Sequence, residues 1–115
     1  MFSFENLDVY KVALQFSKTT IEETRLVPKG YFSLIDQLRR ASTSIVLNIA
    51  EGSGRYAKGE KKQFYSIAKG SAYECVPLLT LFGELNLIQV QRIDDLKQTL
   101  QRISQMLTKL IQVIN

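Results

Sequence analysis

The chain has 115 residues, of which 45% are hydrophobic, so it has the size and apolar content of one domain with its own core. Its formal net charge of +4 and pI near 9.3 describe a mildly basic surface, which attracts phosphates but lacks the charge density of a histone-like tail. The single cysteine, Cys75, excludes an internal disulfide, and the lack of histidine excludes the usual zinc sites.

The sequence gives no sign of export or of a membrane segment. Every apolar run is shorter than the roughly 18 residues that span a bilayer. The first residues include Glu5 and Asp8 and lack a basic flank followed by a cleavage site of small residues. We therefore expect a cytoplasmic protein without membrane contact, in which Cys75 is a small, reduced core residue.

Apolar residues recur at helical spacing in four segments, which cover about 6–26, 31–52, 59–86 and 90–114. The first segment carries along one side Tyr10, Ala13, Leu14, Ser17, Ile21 and Thr24. Pro28 ends it, because the residue before a proline avoids helical dihedral angles, and Gly30 completes the turn. The stripe of the second segment consists of Ile35, Leu38, Ala41, Ile45 and Ile49.

Glycine marks the end of the second segment, and proline interrupts the third. Gly52 and Gly54 are predicted to end the second helix, where glycine takes positive φ without a side-chain clash. The third segment has a stripe of Phe64, Ile67, Ser71, Cys75, Leu78, Phe82 and Leu85. Pro77 lies within this stripe, where it removes an amide hydrogen bond and pushes on the carbonyl of Tyr73, so we predict a kink there.

The fourth segment has the most regular pattern in the chain. Its apolar residues step by three and four without a slip through Ile93, Leu96, Leu100, Ile103, Leu107, Leu110 and Ile114. Short joints between amphipathic helices of similar length make neighbouring helices antiparallel. The sequence therefore predicts an all-α fold, an up-down-up-down antiparallel four-helix bundle that forms a single domain over residues 1–115.

The glycine-rich joint between the second and third segments resembles a phosphate-binding loop only in part. Gly54 and Gly59 have the G-x-x-x-x-G spacing, but Glu60 and Lys61 follow where a lysine and a hydroxyl residue are needed. A helical segment rather than a strand also precedes the glycines. The pattern argues against nucleotide binding, and we expect no cofactor.

Carboxylate catalysis is a second candidate, since Glu51 and Glu74 can face each other across adjacent helices. An acid–base pair needs one carboxyl held protonated, whereas nearby cations would keep both ionised. These cations are Arg39, Arg40, Arg55 and Lys69. The serines cannot form a familiar triad without histidine. The sequence therefore predicts no catalytic residue and no enzyme.

The polar residues at the joint are better explained as parts of the helix packing. Asn48 and Glu51 are expected to hydrogen-bond the start of the third helix, while Arg55 fixes the loop. Ser71 and Glu74, one helical turn apart, are their expected partners across the bundle.

Two long motifs carry a resemblance to a known family. "DQLRRASTSIVLNIAEGSGR" followed by "FYSIAKGSAYE" resembles the proteins encoded by intervening sequences of bacterial 23S rRNA genes, also called S23 ribosomal proteins, whose relatives include the accessory protein of diversity-generating retroelements. The resemblance implies a homopentameric barrel of four-helix bundles without catalytic activity. The signature positions in this chain are Gln37, Arg39, Arg40, Asn48, Glu51, Gly52, Gly70, Ser71 and Glu74. Pro77 departs from the family pattern.

Cations are concentrated around the joint and form a candidate nucleic-acid surface. Along 31 residues they are Arg39, Arg40, Arg55, Lys58, Lys61, Lys62 and Lys69. Phosphate contacts of such cations release counterions, so binding would depend on salt and little on sequence. Tyr56 is predicted to be free for base stacking, whereas Phe64 falls on the core stripe. A charged end that is merely solvated is the alternative.

Two functional hypotheses follow, and they belong to different classes. The first is a nucleic-acid-associated accessory protein that binds RNA or DNA. It is motivated by the basic joint and by the family resemblance, since the retroelement relative presents a basic surface to nucleic acid and to a reverse transcriptase. The second is an oligomeric scaffold that binds a protein partner, such as a reverse transcriptase, without touching nucleic acid. Reversing the charge of Lys58, Lys61 and Lys62 distinguishes the two.

Overall fold

The computed structural model describes residues 1–114 and is all-α, with four helices and no strand among those residues. Its elements in chain order are a 3-10 turn (Ser3–Asn6), α1 (Asp8–Thr24), a second 3-10 turn (Lys29–Tyr31), α2 (Phe32–Ser53), α3 (Lys58–Glu84) and α4 (Val90–Gln112). These helices begin and end at most two residues from the predicted bounds.

Each helix packs against the helices that precede and follow it in the chain, and α1 also packs against α4. The backbones of α1 and α3 lie apart, as do those of α2 and α4, and the most extensive contact joins α2 to α3. The molecule is elongated, with dimensions of 44 × 22 × 21 Å. The helices therefore enclose one core that runs along their common length.

The core is built from one stripe of each helix, as the periodicity predicts for α2 and most of α4. Ile93, Leu96, Leu100, Ile103 and Leu107 are all buried on α4. The stripe predicted for α3 is partly wrong, since Ile67 and Leu85 are 44% and 47% exposed. The core side of α3 instead includes Tyr65, Ala68, Ala72 and Leu79. The two alanines are fully buried and add little bulk to this side of α3.

The expected positive φ at the end of α2 is wrong, because no glycine among the described residues has positive φ and Gly54 has a φ of −83°. The one residue of the described chain with positive φ is Asn86, at 59°. It closes α3 in a Schellman motif, in which Leu87 N–H donates to the Phe82 carbonyl at 2.9 Å and Asn86 N–H donates to the Gly83 carbonyl at 3.0 Å.

Pro77 does not interrupt the assigned helix, since α3 is continuous from Lys58 to Glu84. Pro77 lies on the exposed side of α3. As proline has no amide hydrogen, it cannot donate the helical hydrogen bond to the Tyr73 carbonyl. The bend expected between these two residues stays a prediction.

Candidate nucleic-acid interface

The joint between α2 and α3 is short, and two side chains of α3 hydrogen-bond the end of α2. Lys61 donates hydrogen bonds from Nζ to the carbonyls of Gly52, at 3.1 Å, and Ser53, at 3.2 Å. These carbonyls belong to the last turn of α2, where a cation satisfies unpaired acceptors and interacts favourably with the helix dipole. The hydroxyls of Ser53 and Tyr65 also hydrogen-bond, at 3.0 Å. Lys61 thus caps α2 and belongs to the framework of the joint.

At Gly52, α2 packs directly against side chains of α3. A β-carbon at this position would lie 2.8 Å from Cε1 and 2.9 Å from Cδ1 of Tyr65. Glycine is therefore required here for space rather than for backbone conformation. Gly70, the other signature glycine, is different, because a β-carbon there would meet nothing within 4 Å.

Arg55, in the joint, forms an ion pair with Glu51 in the last turn of α2. Nη2 of Arg55 lies 2.9 Å from Oε2 of Glu51, and the guanidinium carbon lies 4.7 Å above the centre of the Phe64 ring. Arg55 thus stays close to the joint, as expected. The expectation that Glu51 hydrogen-bonds the start of α3 is wrong. Its carboxylate instead accepts a hydrogen bond from Arg55, four residues later in the sequence.

Asn48 is connected to α3 only indirectly, through hydrogen bonds of Ser44. Its Nδ2 donates to the carbonyl and the hydroxyl of Ser44, at 2.8 and 3.0 Å, and the Ser44 hydroxyl hydrogen-bonds the buried hydroxyl of Ser71 at 2.9 Å. The predicted contact of Asn48 with the beginning of α3 is therefore wrong. Ser71 is the partner on α3, whereas Glu74 and Gln37 are exposed and their side chains make no hydrogen bond to any described residue. Sequence reasoning missed Ser44.

The two arginines of the Q-L-R-R-A motif lie away from the joint. Arg39 donates from Nε to Thr24 Oγ1 of α1 at 2.9 Å, and Arg40 pairs with Asp36 at 2.8 Å. Arg40 lies about 20 Å along the helix axis from the last residue of α2. The seven predicted cations therefore do not form one continuous patch.

Three of those cations have no hydrogen bond or ion pair to any residue in the described part of the chain. Lys58 is exposed in the first turn of α3, and Lys62 and Lys69 are half-buried on the same helix. Tyr56, as predicted, is fully exposed; it lies in the joint, two residues before Lys58. These side chains are available to an external anion.

The structure brings Lys69 together with two cations of α4 that sequence reasoning missed. Lys69 and Tyr73 on α3 and Arg102 and Lys109 on α4 line a surface groove of about 620 Å³. Beyond Asp95, α4 has no carboxylate, which is the signal in the sequence that identifies its later half as basic.

This groove continues along the α3–α4 interface into a more apolar part. The second part has a volume of about 600 Å³ and is lined by Val76, Pro77, Leu100 and Lys97, among others. The side chain of Tyr73 borders both parts. We call the two parts together the α3–α4 groove.

No group of three or more histidine, cysteine or acidic side chains within residues 1–114 is arranged to hold a metal ion. Burial, with a smaller contribution from the nearby Glu74 carboxylate, raises the pKa of the Cys75 thiol to about 12, so this thiol stays protonated at neutral pH. Among the described helices, none has the length and apolar character needed to cross a membrane.

Comparison with known proteins identifies a family and shows that the fold resembles solved structures. The family described as 23S rRNA-intervening sequence protein matches residues 5–109. The crystal structure of a protein with unknown function from the S23 ribosomal protein family, from Bacteroides thetaiotaomicron VPI-5482, superposes with a TM-score of 0.84 at 21% identity. That match covers 90% of this chain and 97% of the other. No curated protein sequence matches the chain.

Proposed function

Because the chain belongs to the 23S rRNA-intervening sequence protein family, we propose that it is a non-enzymatic accessory protein that binds nucleic acid, RNA in particular, through its basic end. This end comprises the α2–α3 joint, the first turns of α3 and the last turns of α4. The observation that carries the proposal is a set of three lysines, at positions 58, 62 and 69, whose side chains have no hydrogen-bond or ion-pair partner within the described chain. Such cations gain most from a polyanion, because they do not first have to break an internal ion pair.

The proposal includes the up-down-up-down antiparallel order of the helices. Two contacts between α2 and α3 support it: Ser44 meets Ser71, while the later residue Ser53 meets the earlier residue Tyr65. On α3 and α4, Gly83 lies against Ile93, near the end of one helix and the beginning of the next. Contacts of this kind occur when consecutive helices run in opposite directions.

We further propose that five copies assemble into a barrel, as the family resemblance implies. An apolar patch supports association: Leu47 is 66% exposed and Ile67 is 44% exposed. Leu47 follows Ser44 by three residues and Ile67 precedes Ser71 by four, so each lies one turn from the hydrogen bond that joins the helices. An assembly would cover these side chains and would repeat the basic end around a ring.

Light scattering on the purified protein tests the assembly. We expect a mass near five chains for the unaltered protein and a smaller mass for Leu47→Lys, which places a charge in the proposed contact. Leu26→Lys is the matched control, because Leu26 is 91% exposed and lies outside the patch. A monomeric unaltered protein would contradict the pentamer, and an unchanged mass for Leu47→Lys would exclude this patch as the contact.

Fluorescence anisotropy against a structured RNA and a duplex DNA, across a salt series, tests the proposed nucleic-acid binding. The variant Lys58→Glu/Lys62→Glu leaves the capping Lys61 intact, and we expect it to bind at least about tenfold more weakly. Lys11→Glu/Lys18→Glu introduces the same charge change on exposed positions of α1. If the unaltered assembly binds neither probe at low salt, the proposed function is wrong.

A protein-binding scaffold is the second candidate, favoured by the same apolar patch. A protein partner such as a reverse transcriptase would then cover Leu47 and Ile67 without any need for the lysines. Partner capture that survives the Lys58→Glu/Lys62→Glu change and is lost with Leu47→Lys in an intact oligomer would support this alternative.

A further inference from the structure

We propose that the α3–α4 groove is a binding site for single-stranded nucleic acid, in which Lys69, Arg102 and Lys109 hold phosphates and Tyr73 stacks on a base. This inference rests on the proposed function, since it takes nucleic acid to be the ligand. It adds a specific site, a preference for single strands and base stacking, none of which follows from the lysines of the α2–α3 joint.

The charge of the groove is the first argument. Lys69 comes from α3, while Lys97, Arg102 and Lys109 come from α4, and no carboxylate of residues 1–114 lines either part of the groove. Cations from two helices that face one cleft without an opposite charge repel one another and attract counterions. A chain of phosphates supplies several negative charges at regular spacing, which suits a row of cations better than a single anion does.

The position of Tyr73 is the second argument. Its side chain is 63% exposed although it borders both parts of the groove. Gly70, one turn earlier, lines the same surface and leaves open space, since a β-carbon there would meet nothing within 4 Å. An accessible aromatic ring beside cations and next to free space is a platform on which a base can stack.

The remaining lining supplies hydrogen-bonding groups of the kind that bases and sugars use. Gln101 and Gln105 provide side-chain amides, and Ser104 provides a hydroxyl, on the α4 side. On the α3 side, Pro77 leaves the Tyr73 carbonyl without its helical donor. These groups can contact many different bases, so we expect weak sequence preference.

The shape of the groove favours a single strand over a duplex. Lys97 and Lys109 are about 18 Å apart along α4, enough for a few nucleotides. A base inside a duplex is stacked on its neighbours and cannot lie on a tyrosine ring, whereas a base in a single strand can turn outward. A duplex would retain only the phosphate contacts.

Fluorescein-labelled oligo(U) and oligo(dT), each about 12 nucleotides long, and a duplex of equal length are suitable probes. For Lys69→Gln/Arg102→Gln/Lys109→Gln we expect at least about tenfold weaker single-strand binding and a salt slope smaller by about 2. The control Lys11→Gln/Lys18→Gln/Lys29→Gln removes three exposed cations outside the groove and should change binding less than about twofold. The two single-stranded probes compare RNA with DNA.

Substitutions of the tyrosine test stacking separately from charge. Tyr73→Leu should weaken single-strand binding about tenfold, Tyr73→Phe should retain it, and Tyr56→Leu, which removes the exposed tyrosine of the joint, should have little effect. The chain has no tryptophan, so Tyr73→Trp places a single tryptophan inside the groove, and its fluorescence can be excited apart from that of the tyrosines. We expect oligo(U) to quench this fluorescence.

Each outcome supports or overturns the inference. If the groove variants bind single strands as the unaltered protein does while Lys58→Glu/Lys62→Glu abolishes binding, the inference fails and the proposed function stands. If the groove variants lower the mass of the assembly without changing binding, the groove is a contact between subunits and the inference is overturned. If the unaltered protein binds no nucleic-acid probe, the proposed function itself fails.

Discussion

Gly52 on α2 and Tyr65 on α3 touch so closely that a β-carbon on residue 52 would lie 2.8 Å from Cε1 of the tyrosine. The ring cannot easily turn away, because it is buried and its hydroxyl is hydrogen-bonded to Ser53 at 3.0 Å. The contact therefore fixes the spacing of the two helices that pack most extensively.

The two signature glycines should respond in opposite ways to alanine. Gly52→Ala should lower the free energy of unfolding by about 1–3 kcal/mol through overpacking, despite the better helix propensity of alanine. Gly70→Ala should raise it by about 0.5–1 kcal/mol, because the position is helical and open. Urea denaturation of both variants measures the effects, and equal changes would contradict the assigned difference in packing.

Lys61 and Lys62 should differ although they are adjacent in the sequence. Lys61→Met removes two hydrogen bonds to the last carbonyls of α2 and should cost about 1 kcal/mol of stability. Lys62→Met should change stability by less than about 0.5 kcal/mol, since no partner of Lys62 is found among the described residues. Thermal unfolding of the pair provides the comparison, and a neutral Lys61→Met would rule out the cap.

The hydrogen bond between Ser44 and Ser71 should appear as a coupling energy. Because the two hydroxyls lie 2.9 Å apart and Ser71 is buried, Ser71→Ala and Ser44→Ala should each cost about 1 kcal/mol. The double variant should cost less than the sum, by about 0.5–1 kcal/mol. Strict additivity in the double-mutant cycle would show that the bond contributes nothing to stability.

Asn86 should tolerate glycine and resist alanine. Its φ of 59° lies in the left-handed region, where an alanine side chain costs about 1–2 kcal/mol. Asn86→Ala should therefore lower stability by about 1 kcal/mol, while Asn86→Gly should leave it equal or slightly higher. Chemical denaturation distinguishes the two, and similar costs for both substitutions would contradict the Schellman motif.

Cys75 should make stability depend on pH in the alkaline range. Its pKa is raised by burial from 9.0 to about 12 in the folded protein, so the protonated thiol favours the folded state below pH 9. As pH rises from about 9 toward 12, the unfolded state ionises first and this stabilisation is lost. We expect stability to fall over that range and to fall less in Cys75→Ala, as measured by denaturant titration at each pH. Parallel curves would be contrary to the raised pKa.

The family, the all-α class and the four helices could be predicted from the sequence, and so could the core residues of α4. The regular spacing from Ile93 to Leu107 allows only one buried face. On α3, by contrast, two overlapping apolar stripes compete, and burial of Tyr65 rather than Ile67 is decided by the neighbouring helices. Periodicity alone cannot select between such stripes.

The partners of the charged and polar side chains were much harder to predict. Some partners lie one helical turn away, since Arg40 and Arg55 pair with carboxylates four residues earlier in the sequence. Lys61 donates to backbone carbonyls of α2 that come within its range only when the joint is folded. Arg102 and Lys109 approach Lys69 only after α3 and α4 pack together, so a search along the sequence could not group them.

The absence of carboxylates from α4 beyond Asp95 also bears on the kinetics of encounter. With Lys69 across the groove from Arg102 and Lys109, this stretch creates a positive potential that acts on a polyanion before any contact forms. In the proposed binding of nucleic acid, this potential would orient the approaching protein with its basic end forward and so increase the fraction of productive collisions. Added salt would then slow the association step itself, in addition to weakening the proposed complex at equilibrium.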